Sequence, residues 1–405
     1  MARRESTPTT PGSRAVVVDL IRSPGPISRV ELTAATGLTQ PSISLIVRKL
    51  LSDGIVRETG LTASTGGKPR VLLEINGRAL YGVGVQLGFE SITLVATDVT
   101  GGVIGREQID GAGLDKPEVV TQRIITAYHD FVRVLGIGTG TIAGVAVVAP
   151  GPIDQHDGVV LGPPTLRSWL DFGLRAALRA GIDVPVLVDN DAAAAAVGEF
   201  WSRRISRSST FAGIYLGSGI GSGIVIDGAL YRGHSSNAGE IGHISIEQDG
   251  VPCFCGNVGC LERYASPGAV VESARASAPD FAELGLAFEP TSVMRDFDLL
   301  CRAAVREVEP ARALIETSAA QLASAAVTLS NLFDLDHIVL AGPGMAFAGS
   351  IYARAMRDRL ARSAFSRRAH PIVVELSSNP RDSAAVGASA LILQSTVAPG
   401  HGPLL

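Results

Sequence analysis

The sequence is poor in cysteine, with four in 405 residues, and poor in aromatic side chains, which make up 5% of it. So few cysteines exclude a disulfide-built scaffold, and a chain this long with 46% hydrophobic content can bury more than one core without one. It also lacks any run of roughly 18 apolar residues, so nothing in it reads as a membrane-spanning helix. The opening "MARRESTPTT" is charged and polar, with no apolar stretch of signal-peptide length behind it. The expectation is a soluble, cytoplasmic protein of two or three domains. In that compartment cysteines serve metal binding, catalysis or packing rather than cross-linking.

Negative charge dominates only slightly, the formal net charge being −4, yet it is unevenly spread. Residues 1–78 carry eleven Lys and Arg against six Asp and Glu, a net of +5 that leaves −9 for the rest. A basic end on an acidic body points to an anionic partner for that end alone. Its pattern is specific. In "SRVELTAATGLTQPSISLIVRKLLSDGIV", Ser28 and Glu31 form a capping box, Gly37 ends the short helix, and Thr39 caps the next one, where Pro41 is tolerated in the first turn. Ile43, Ile46, Val47, Leu50 and Leu51 then fall on one apolar face. Gln40, Ser42, Ser44, Arg48 and Lys49 stay off it. A first helix in "SRAVVVDLIRS" should turn Val16, Leu20 and Ile21 inward. After Gly54 two β-prone runs are joined by a tip carrying Lys68 and Arg70. This reads as a winged helix-turn-helix over 1–78, with Gln40, Ser42, Ser44 and Arg48 facing bases or phosphates in the major groove and Lys68 and Arg70 on the wing. A helical module for protein contacts is the alternative.

From Leu80 onward strand-like and helix-like runs alternate. The segments "YGVGVQLGFESITLVATDVTGGVIGR" (81–106) and "FAGIYLGSGIGSGIVIDGALYRG" (211–233) resemble one another, each a strand, a glycine-containing turn and a second apolar strand. Such a repeat predicts two similar α/β lobes around a cleft, a body like that of actin and the sugar kinases, with a ribonuclease H-like core in each lobe. The predicted lobes are 79–190, completed by a C-terminal helix at 383–395, and 191–382. Between the repeats, "VPVLVDNDAAAAAVGEF" runs a buried strand into Asp189, Asn190 and Asp191, where α/β folds bind ligands or where a helix is simply capped.

Three of the four cysteines lie in "GEIGHISIEQDGVPCFCGNVGCLERYAS" (239–266). His243, Cys253, Cys255 and Cys260 make a Cys₃His set suited to structural zinc, with Gly256 and Gly259 letting a short loop fold back on one ion in the stretch 243–262. Cys301 stands alone and reads as a core residue. The combination "GEIGH" with "CFCGNVGCLE" resembles the signature of the ROK family, which groups sugar kinases with sugar-responsive transcriptional repressors. The resemblance implies that Asn190, Asp191, Glu240, His243 and Glu262 hold a sugar, and that Asp191 is the catalytic base if the chain is a kinase. Carboxylates and an amide are apt partners for vicinal hydroxyls in any case.

Kinases of that family carry an Asp-x-Gly-Gly-Thr type loop in the first hairpin. This chain reads Gln86, Leu87, Gly88, Phe89 and Glu90 there. Gln cannot replace a carboxylate on magnesium, Phe89 fills space that phosphate needs, and Glu90 adds negative charge beside it. The loop "LGSGIGSG" keeps its glycines, while "LAGPGMA" departs from the family's double-glycine loop. The expected function is therefore a DNA-binding regulator, a repressor of sugar-metabolism genes whose degenerate kinase body senses a sugar or sugar phosphate. An ATP-dependent sugar kinase with an appended DNA-binding domain is the alternative. The expected partners are double-stranded operator DNA and a second copy of the chain, as a homodimer or dimer of dimers on an inverted repeat.

Overall fold

The computed structural model describes residues 12–398 apart from 23–24, 62–68, 162–163, 204 and 207. It opens with α1 (Ser13–Arg22), β1 (Ile27–Ser28), α2 (Arg29–Thr36), α3 (Gln40–Ser52), β2 (Val56–Leu61) and β3 (Val71–Ile75). The Ser28 hydroxyl accepts from the Glu31 N–H while the Glu31 carboxylate accepts from the Ser28 N–H at 2.8 Å, and Gly37 closes α2 at φ +69°. The Thr39 hydroxyl accepts from the Ser42 N–H at the start of α3. Ile43, Val47 and Leu50 are buried, with Ile46 and Leu51 packed against them. Antiparallel pairing gives the order β1-β3-β2.

The inward face of α1 differs from the expectation. Ala15, Val17, Val18 and Ile21 are buried, Leu20 only partly, and Val16 lies outside the core. The cause is a second neighbour. The same apolar cluster takes in Val99, Ala143, Leu393, Val397 and Ala398 from the body, so α1 is covered on more than one side. Arg22 is buried as well, its guanidinium 3.6 Å from the Trp201 ring centroid and donating to the Trp201 carbonyl.

The body holds two five-stranded sheets of one plan. The first contains β4 (Tyr81–Leu87), β5 (Ser91–Asp98), β6 (Val103–Asp110), β7 (Ile142–Ala149) and, beyond the small hairpin β8 (Ile153–Asp154) and β9 (Val159–Val160), β10 (Val186–Asn190), in the order β10-β7-β4-β5-β6. Its helices are α4 (Pro117–Leu135) and α5 (Leu174–Arg179). After α6 (Asp191–Arg203) come β11 (Phe211–Leu216), β12 (Ile220–Ile226) and β13 (Ala229–Leu230), then α7 (Glu262–Ala265), α8 (Pro267–Ala276), α9 (Val293–Val305) and α10 (Ala311–Phe333). The chain finishes with β14 (His337–Ala341), α11 (Gly349–Ser363), β15 (Val373–Leu376) and α12 (Ser383–Val397), giving the order β13-β12-β11-β14-β15. In each sheet one strand, β4 or β11, has an antiparallel neighbour on one side and a parallel one on the other.

Between the sheets lie α6 and α12, packed on each other, α12 against β4, β5 and β7 and α6 against β11 and β12. Their small residues are a packing requirement. A Cβ at Gly84 would come 1.9 Å from the Ala385 carbonyl oxygen, and one at Gly387 would come 1.9 Å from that of Ala194. Among the described residues no helix is long and apolar enough to cross a membrane.

Because no flexible side chain can yield at that contact, Gly387→Ala should destabilise the protein by about 1–3 kcal/mol or more. Equilibrium denaturation in urea checks this, the expected result being a lower midpoint with an unchanged slope.

Candidate functional site

The site is assembled where β10 ends and α6 begins. Asp189, the last fully buried residue of the strand, accepts from Arg232 at 2.8 and 3.2 Å and from the Gln155 side-chain amide at 2.9 Å. It is a tie between lobes rather than a ligand group. The Asn190 side-chain Oδ1 accepts from the Ala193 N–H at 2.9 Å, and Asp191 Oδ1 accepts from the Ala192 N–H at 2.8 Å. Capping therefore uses one oxygen of each residue. The other polar atom of each is left for the cleft.

That cleft is a cavity of about 730 Å³ whose wall includes Asn190, Asp191, Glu240, His243 and Glu262. All five residues expected to hold a sugar thus meet in one place, though they come from a strand end, a helix start, a 3-10 turn (Ile241–His243) and α7. Gly151 keeps the opening clear, since a side chain there would begin 2.9 Å from Asn190 Nδ2 and 3.4 Å from Glu240 Oε1. Glu262 Oε2 accepts from the Ile220 N–H at 2.9 Å, which locks the second hairpin turn to α7. Burial, reinforced by the Glu262 charge, pushes the Asp191 carboxyl up to about 6. Desolvation by the cleft walls also raises the Glu240 carboxyl. Groups of this kind both accept from and, in part, donate to hydroxyls near neutral pH.

Beside the cavity the thiols of Cys253, Cys255 and Cys260 and the His243 imidazole bring four donor atoms within 4.8 Å of one another. His243 Nδ1 lies 3.6 Å from Cys253 Sγ, and Cys255 Sγ lies 3.6 Å from Cys260 Sγ. These spacings are close to the edge of roughly 3.8 Å that a tetrahedron with metal–sulfur bonds near 2.3 Å requires. The loop is pinned by the Cys253 N–H on the Asn257 carbonyl at 2.8 Å, and Gly259 has no room for a side chain, a Cβ meeting the Glu247 carbonyl oxygen at 1.7 Å. Burial and the neighbouring sulfurs push the Cys260 thiol up to about 12. A divalent cation is what makes such a group favourable as thiolates, so the donor set fits one metal ion. His243 faces the sulfurs through Nδ1 while its ring lines the cavity. Cys301 is packed in the core of the second lobe, away from this cluster.

At the first hairpin Gln86 donates from Nε2 to the Tyr215 hydroxyl at 2.7 Å, and Glu90 Oε1 accepts from the Met294 N–H of α9 at 2.9 Å. Both contacts cross from one lobe to the other. Tyr215 was not among the expected site residues, although it lines the cavity. The signal was present in the repeat, where "QLG" (86–88) and "YLG" (215–217) occupy equal places before their turns.

On α3, Gln40 and Arg48 are exposed, and Ser42 and Ser44 are half-buried. The Ser42 hydroxyl lies 2.9 Å from that of Thr39 and so belongs partly to the cap. Leu45, which sequence reasoning overlooked, is 66% exposed on the same helix. Arg70 is exposed and near enough to Glu31 to help lower its carboxyl, after the stronger effect of Ser28. Lys68 lies outside the described residues.

A duplicated α/β body with a polyol-sized cleft, flanked by a cysteine-rich loop, defines the class as a two-lobed sugar-binding fold of the kinase type. Residues 82–395 match the ROK family, and the chain belongs to it. It is 33% identical to the xylose repressor of Bacillus subtilis over 248 residues, 61% of this chain and 64% of that one. Its structure is similar to that of a ROK family transcriptional regulator, a homologue of the Escherichia coli Mlc protein, with a TM-score of 0.73, 27% identity and 96% of each chain covered. It is also similar to a ROK family glucokinase of Streptomyces griseus in complex with glucose and AMPPNP, with a TM-score of 0.66 and 26% identity, over 77% of this chain and 98% of that one.

A raised Asp191 makes a prediction with a definite sign. Its folded pKa of about 6 exceeds the unfolded value near 4, so its contribution to stability is complete below pH 4 and is lost as pH rises through 6. Asp191→Asn should therefore stabilise the protein at pH 7 by on the order of 1–3 kcal/mol and remove part of the difference between pH 5 and pH 7. Urea denaturation of both proteins at the two pH values measures it.

Proposed function

We propose that the chain is a sugar-responsive, DNA-binding transcriptional regulator, with residues 1–78 acting as a winged helix and the ROK body as the sensor. One observation carries this reading. The 13-residue helix α6 starts in the cleft with Asp191 and ends beneath the first module, where Trp201 stacks on Arg22. At about 1.5 Å per residue it spans some 20 Å as a single rigid element. A sugar that draws on Asn190 and Asp191 thus acts on the support of α1, and linkage makes the effect of sugar on DNA equal to that of DNA on sugar. The names of the relatives, a xylose repressor and a transcriptional regulator, agree with it.

A kinase reading is weaker because Gln86 offers no carboxylate for magnesium and is already bonded to Tyr215. In the sensor reading Asp191 accepts a sugar hydroxyl's hydrogen bond and goes no further. The metal is zinc, four-coordinate and structural, held by His243, Cys253, Cys255 and Cys260, and it stiffens the loop that carries Glu240 and Glu262. Two copies place two recognition helices about one turn of DNA apart.

The test uses the full chain and a duplex that it selects from a random pool. A sugar that raises the melting temperature should also change affinity for that duplex in fluorescence anisotropy, and a stabilising sugar with no effect on DNA would refute the linkage. On the DNA side, Gln40→Ala should lose roughly 1–3 kcal/mol at one base pair of the selected site, whereas Arg48→Ala and Lys68→Ala should weaken binding and flatten its salt dependence.

For the metal, elemental analysis should give one zinc per chain, and Cys255→Ala should lower both zinc content and sugar affinity. Full zinc in that variant would remove the assignment.

A further inference from the structure

One side chain of the second lobe shares the cavity wall with Asp191 and is tied to the first lobe. Tyr215 is 3% exposed, packed in a cluster with Ala192, Ala146, Ala341 and Ala388, and forms part of the cavity wall. Its hydroxyl meets Gln86 of the first lobe at 2.7 Å, and the residue lines the same cavity as Asp191. The ring therefore shares the cavity wall with Asp191 while its hydroxyl is held by the strand that leads into the first hairpin turn. Gln86 and Tyr215 hold equal places in the two halves of the repeat, so their bond joins corresponding positions of the two lobes.

We propose that Tyr215, anchored by Gln86, is the specificity-determining residue that restricts the effector to a neutral, unphosphorylated sugar. This rests on the sensor reading above and deepens it. A phosphoryl group on a hydroxyl bound to Asp191 would have to share the cavity with the phenol ring that Gln86 anchors. Charge acts the same way. Asp191, Glu240, Glu262 and Glu272 line the cavity, against one arginine, Arg263, which is itself exposed. A dianionic ester entering such a wall loses its water and gains chiefly like-charge neighbours.

The experiment is isothermal titration of the zinc-replete full chain with three matched pairs: D-glucose and its 6-phosphate, N-acetyl-D-glucosamine and its 6-phosphate, and D-xylose and its 5-phosphate. The free sugar of the pair that binds should bind at least roughly tenfold more tightly than its ester. Tyr215→Ser, which removes the ring, should narrow that ratio by several-fold through tighter ester binding, and Gln86→Ala, which releases the ring from its anchor, should narrow it less. An ester that binds the unaltered protein as tightly as its sugar overturns the proposal while leaving a sugar-responsive regulator standing. So does an unchanged ratio in both variants. If no member of any pair binds, the sensor reading itself falls.

Discussion

Everything in the body is hung on the contact between two helices that meet through glycine and alanine. At the crossing of α6 and α12 a Cβ on Gly198 would sit 2.7 Å from the Gly387 Cα, so backbone lies on backbone. Each helix then turns its other side to a different sheet, and glycine recurs there for the same reason. Such close packing is what lets two sheets of one plan share a single intervening layer. It also determines where the ends of α6 fall. One end reaches the cleft and the other reaches Arg22.

Around this layer the lobes are fastened by polar ties of different strengths. Asp189 with Arg232 is a buried, doubly hydrogen-bonded ion pair, and Asn237 exchanges hydrogen bonds with the Ile153 backbone at 3.1 and 3.2 Å. Removing one partner of a buried pair strands the other charge, so Asp189 and Arg232 are expected to stand or fall together. Gln86 with Tyr215 and Glu90 with Met294 cross at the first hairpin. Gln86 and Glu90, two of the residues that depart from the kinase loop, are therefore occupied in cross-lobe contacts.

What could be read from the sequence were features written in neighbouring residues. The capping box at Ser28 and Glu31, the close of α2 at Gly37, the Cys₃His spacing and the paired hairpins all depend on separations of a few positions, and the structure brings the five residues expected to hold a sugar to one cavity. What could not be read depended on partners far along the chain. Arg232 is an unremarked basic residue until it meets Asp189, and Tyr215 looks like any apolar strand residue until β4 is placed beside it across the cleft. The burial of α1 went astray for the same reason, because a helical period locates one apolar face and cannot announce that a second surface will cover the helix.

The glycine and alanine layer has one more consequence, a mechanical one. Interlocked large side chains resist sliding because every step demands new rotamers, which makes such interfaces snap between discrete arrangements. Two smooth backbones offer no teeth to disengage. Small axial displacements of α6 along α12 are opposed by the polar ties at its ends rather than by the contact itself, as a bolt runs in a polished sleeve. The stiffness that matters for passing a movement from the cleft to α1 is thus concentrated in Asp189, Glu199, Arg203 and Trp201, four side chains on or beside one helix, and not in the broad surface that buries it.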